Sequence, residues 1–85
     1  MATILSNNQV TRIRDIQKQI KQICPNGWLC EGNDENCNQF FNNDTGAFFL
    51  ADYNGKILYE EGNIPLEMRQ VAKLEGQISK ICEEK

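Results

Sequence analysis

The chain has 85 residues, 40% of them hydrophobic and 25% charged, which fits one small globular domain with no room for a second and excludes full disorder. A formal net charge of −3 gives no reason to expect nucleic-acid binding, and no run approaches the roughly 18 apolar residues that a membrane span needs. A chain this short buries only about 60–65% of its unfolded surface, so a metal, disulfides or a second subunit often supplements the core.

The first element in chain order is a helix over residues 8–24. Val10, Ile13, Ile16, Ile20 and Ile23 recur at helical spacing, with Arg, Lys and Gln on the other face. Asn7 or Asn8 can cap it, and Pro25 stops it. Residues 25–45 read as a long polar segment, too long for slack loop in a compact domain. Trp28-Leu29 can add a short strand there, and Cys37-Asn-Gln-Phe-Phe a helical turn or a strand end.

Residues 46–62 read as a β-hairpin with a two-residue turn at Asn54-Gly55, the only strand pair the pattern offers. Phe48 and Leu50 share one face of its first strand, Phe49 and Ala51 the other. Apolar residues on both faces make that strand central or part of an interface. A second helix spans residues 64–83, opened by Pro65, with Leu66, Met68, Val71, Leu74, Ile78 and Ile81 as apolar positions. Gly76 costs about 1 kcal/mol in a helix interior and marks the close approach of another backbone.

Charge is uneven along the chain. Arg12, Arg14, Lys18 and Lys21 gather in the first helix against one acid, Asp15, and Glu31, Asp34, Glu35, Asp44, Asp52, Glu60 and Glu61 in the middle against one base, Lys56. Either the two regions complement each other, within the fold or across a dimer, or the acids form a patch for a basic partner.

The four cysteines have no close C-x-x-C pair and no histidine to help them. A zinc site from Cys24, Cys30, Cys37 and Cys82 requires the second helix to bring Cys82 to the loop. The alternatives are buried structural thiols at Cys24 and Cys82, and a Cys30–Cys37 disulfide under an oxidant. Acids around Cys30 would raise its thiol pKa and disfavour a reactive thiolate. Without histidine there is no Ser-His or Cys-His pair, and neither a GxxxxGK[ST] loop nor GxGxxG occurs, so no enzyme is expected.

The pattern Ala47-Phe-Phe-Leu50, Asp52-x-Asn54-Gly55, Ile57-Leu-Tyr59 and Gly62 resembles the central hairpin of roadblock and longin-type domains, and strands of PAS and GAF sensory domains. That resemblance, confined to residues 46–62, implies dimerisation through sheet or helix faces and binding of regulatory partners or small ligands, without catalysis.

The sequence therefore predicts an α+β domain over residues 1–85: helix, long loop, antiparallel hairpin, helix. Both helices pack on one face of a small sheet that a homodimer extends. The expected function is that of a small cytoplasmic regulatory or adaptor protein acting by protein–protein contact, with no cofactor, nucleic acid or membrane. Partner contacts are expected at Glu31, Asp34, Glu35, Phe41, Phe49 and Tyr59. One alternative is a ligand sensor with a pocket of Trp28, Phe40, Phe49 and Tyr59 between sheet and helices; the other is the zinc-stapled module.

Overall fold

A computed structural model describes residues 5–33 and 37–83. The order is α1 (Asn7–Ile23), β1 (Trp28–Asn33), β2 (Cys37–Asn42), β3 (Phe48–Asp52), β4 (Ile57–Glu61) and α2 (Leu66–Glu83). The strands form one antiparallel sheet in the order β1-β2-β3-β4. The α+β class holds, but the segment 25–45 is not a loop. It supplies two of the four strands, including Trp28-Leu29 and Cys37–Phe41.

The helix ends follow from their capping. Ser6 caps α1, not Asn7 or Asn8: its hydroxyl accepts from the Gln9 N–H at 3.2 Å, and the Gln9 side chain accepts from the Ser6 N–H at 2.8 Å. This reciprocal pair satisfies two donors that the first turn leaves free. At the other end, Cys24 takes an extended conformation before Pro25. In α2, Pro65 stands just before the first helical residue, and its carbonyl accepts from the Met68 N–H at 3.0 Å.

The β3–β4 turn is one residue longer than Asn-Gly alone suggests. Asp52 and Lys56 form the closing pair, with Tyr53, Asn54 and Gly55 between them. Gly55 N–H donates to the Asp52 carbonyl at 3.0 Å, and Gly55 has φ +86°. A tight turn followed by a left-handed glycine is the common three-residue hairpin connection. The Asp52 carboxylate accepts from the N–H groups of Asn54 and Lys56, both at 2.9 Å, which holds the turn from inside.

Both helices lie on one side of the sheet. Met68, Val71 and Ala72 of α2 join Trp28, Phe40, Ala47, Phe49 and Ala51 in the main core. Phe40 and Phe49 stack with centroids 4.7 Å apart, and Trp28 meets Phe49 edge-on at 5.8 Å. Helix α1 runs antiparallel to α2: Gln9 Nε2 reaches the Ile81 carbonyl at 3.1 Å, while Cys24 lies beside Met68 at the far end. Ile16, Leu74 and Ile81 fill the space between the helices, and Ile20 and Ile23 join that cluster to the main core. Gly76 is where α2 meets the hairpin turn: a Cβ there would stand 2.2 Å from the Tyr53 carbonyl oxygen. The sequence expectation of a close backbone approach at Gly76 is met.

Candidate functional site: the open face of the sheet

Strand register sorts the side chains onto two faces, because neighbours across an antiparallel ladder point the same way and successive residues alternate. The helix-facing side carries Trp28, Cys30, Asn38, Phe40, Asn42, Phe49 and Ala51. The opposite side is built in rows. One row runs Leu29, Phe41, Phe48, Glu61, and the next Glu31, Gln39, Leu50, Tyr59. Neither helix packs on that second side, although Cys37, placed there by register, is buried. Leu29 is 50% exposed and Tyr59 47%, while Phe41, Phe48 and Leu50 shelter one another and remain half-buried. Phe48 and Tyr59 rings sit 5.5 Å apart, and a depression of about 300 Å³ opens among Gln39, Phe41, Gly46 and Phe48.

The two polar residues of β2 that face the helices are paired. Asn38 Nδ2 donates to Ser79 Oγ of α2 at 3.3 Å. Asn42 Oδ1 accepts from the N–H groups of Asp44 and Thr45 at 2.8 and 3.2 Å, shaping the turn into β3. Buried amides need such partners, supplied here by α2 for Asn38 and by the following turn for Asn42.

The expected contact residues divide between the faces. Phe41 and Tyr59 lie on the open side, with Glu31 at its β1 edge. Phe49 does not: it is 0% exposed at the centre of the core, so it is a packing residue and not a contact. Asp34 and Glu35 fall outside the described residues. The pocket foreseen from Trp28, Phe40, Phe49 and Tyr59 does not assemble, because the first three rings pack against one another and Tyr59 points to the opposite face. Leu29, Phe48 and Leu50 are apolar open-face residues absent from the expected contacts; for Phe48 and Leu50, the signal was the alternation within β3, unresolvable without knowing which face α2 covers.

The cysteines are all free and do not converge. Cys30 faces the helices, whereas Cys37 is on the other face of the neighbouring strand, which rules out a bridge between them. Cys24 and Cys82 stand at opposite ends of the antiparallel helix pair, and Cys82 is exposed, not buried. No group of three or more His, Cys, Asp or Glu side chains among the described residues is placed to hold a metal ion.

Cys30 is an exposed residue of the edge strand, yet its thiol lies against Glu75 of α2. Burial, then the Glu75 charge and a hydrogen bond to it, push that thiol up to about 12. The adjacent Glu31 contributes least, so the acids of the loop are not the main cause of the rise foreseen from sequence. Burial also holds the Glu75 carboxyl above the usual range, with the Cys30 hydrogen bond pulling the other way. Burial and Glu75 raise Cys24 as well. A thiol in this state is a poor nucleophile. On the open face, the Tyr59 hydroxyl donates to Glu61, and this bond raises the phenol's pKa.

No helix among the described residues is long and apolar enough to cross a membrane. No family model, curated protein or solved structure matches the chain.

Proposed function

We propose that the protein is a small regulatory or adaptor module that works by protein–protein contact through the open face of its sheet. One observation carries this reading: Leu29, Phe41, Phe48, Leu50 and Tyr59 form a continuous apolar surface opposite the helices. Contiguous exposed apolar area of this kind is costly in water and marks contact sites. Aromatic side chains are also enriched at the centres of interfaces. The likeness of residues 46–62 to the central hairpin of roadblock, longin, PAS and GAF domains favours the same class.

Self-association is a second reading, favoured by the edge strand β1, whose outer side pairs with no strand among the described residues. A second copy adding there would continue the sheet across a homodimer. The edge at β4 suits this less, because Glu60 and Glu61 would meet their own copies.

The test compares wild type with Phe48→Asp in affinity capture from the native host, with circular dichroism showing that both are folded. A captured protein that is lost with Phe48→Asp supports the reading. An unchanged set of captured proteins places the contact elsewhere. Sedimentation at micromolar concentration tests the homodimer.

A further inference from the structure

The bases of this molecule are concentrated in the helices. The strands contain no lysine or arginine; Arg12, Arg14, Lys18, Lys21, Arg69, Lys73 and Lys80 belong to the helices, and Lys56 stands in the turn directly before β4. On the open face, register places Glu31 at the β1 edge and Glu61 at the β4 edge, with Leu29, Phe41, Phe48, Leu50 and Tyr59 among them. Asp52 is on the same side, but its carboxylate is engaged in the turn. The two central rows thus form an apolar centre with Glu31 and Glu61 at its margins and no base between them; Lys56, opposite Asp52, stands at the turn end of the same side.

We propose that this face binds an amphipathic helix with lysine or arginine flanks, supplied by a different protein. The inference rests on the contact reading above and adds the chemistry of the partner. The dimensions fit one helix. Strands of five or six residues run about 17–20 Å, and four strands span about 14 Å between the outermost axes. A helix about 10–12 Å wide covers the centre and leaves a margin at each side. Its apolar stripe seats on Phe41, Phe48 and Leu50, and its basic flanks reach Glu31 and Glu61. The other face of the same sheet already takes a helix in this way, through Met68, Val71 and Ala72.

A second copy fits poorly here. Two such faces brought together bring Glu31 and Glu61 of both copies to the margins of the apolar centre, with Lys56 at the turn end as the one base, and the excess of like charge at a closing interface opposes association. A strand added at an edge leaves the apolar centre open. A helix with acidic flanks meets the same repulsion as a second copy.

The experiment uses the whole chain, labelled with nitrogen-15, and two synthetic peptides of about 18 residues, long enough to cover the strands. Both carry the same leucine stripe; one has lysine and arginine flanks, the other glutamate flanks. The basic peptide is expected to bind, to shift the amide signals of Leu29, Phe41, Phe48, Leu50 and Tyr59, and to weaken as salt is raised. The acidic peptide should bind at least about tenfold more weakly. The double variant Glu31→Lys with Glu61→Lys should reverse the preference.

Equal affinity for the two peptides, binding of neither, or shifts confined to the helices would each overturn the proposal. A dimer in sedimentation that Phe48→Asp dissociates would also overturn it, since a second copy then occupies the face. That last result leaves the contact reading standing. If capture of native partners is indifferent to Phe48→Asp, the contact reading itself fails.

Discussion

The Gly76 position and the Tyr53 carbonyl oxygen are so close that a Cβ on the former would stand 2.2 Å from the latter. Helix α2 therefore rests on the backbone of the β3–β4 turn, and only glycine allows it. Gly76→Ala should destabilise the protein by about 1–3 kcal/mol, the usual cost of overpacking. In an open helix the same exchange stabilises by about 1 kcal/mol. Urea unfolding decides the sign, and a gain in stability would mean that the turn and α2 do not touch.

Adjacent residues Phe48 and Phe49 should respond very differently to truncation. Phe49 is enclosed by Trp28, Phe40 and α2, so Phe49→Ala should cost about 3–5 kcal/mol. Phe48 lies on the open face beside Tyr59, and Phe48→Ala should cost about 1 kcal/mol. Equal losses in denaturant titrations would show that both faces are covered in solution.

Glu75 couples stability to pH. Its folded pKa is raised above the reference of 4.5, so the folded state holds this proton to higher pH than the unfolded chain does. The resulting contribution is complete below about pH 4.5 and is lost as pH rises through the folded value. Glu75→Gln stays neutral throughout. Its stability relative to wild type should therefore improve between about pH 4 and pH 7. Urea midpoints at the two pH values measure the change, and a constant difference would remove Glu75 as a pH-linked group.

The Cys30 thiol should react slowly. With its pKa near 12, roughly one thiol in ten thousand is ionised at about pH 8. Iodoacetamide at that pH should label the exposed Cys82 well before Cys30, with peptide mass spectrometry following each site. Glu75→Ala should speed the labelling of Cys30 by removing the charge and the hydrogen bond. Unchanged rates would mean that burial alone protects the thiol.

Half of the sheet could be read in advance and half could not. The β3–β4 hairpin announced itself through Phe48–Ala51, Asn54-Gly55 and Ile57–Tyr59. The β1 and β2 segments did not, because Trp-Leu-Cys-Glu-Gly-Asn and Cys-Asn-Gln-Phe-Phe-Asn are rich in residues that disfavour strands. Asn38 and Asn42 also break the apolar alternation. They point inward as polar groups because Ser79 and the Asp44-Thr45 turn satisfy them. For Asn38 that partner is distant along the chain, whereas for Asn42 it is the turn that follows directly.

By itself, the sequence determined both helices, the second hairpin, the close approach at Gly76 and the segregation of bases from acids. These depend on spacing, capping and turn chemistry within a few residues of one another. Only the tertiary structure decided that Trp28–Asn33 and Cys37–Asn42 pair as strands, and that Phe49 is core while Phe48 faces outward. It also separated the four cysteines. The reason is the same in each case. A strand has two equivalent faces until another element packs on one, and here α2 packs on the side of Phe40, Phe49 and Ala51.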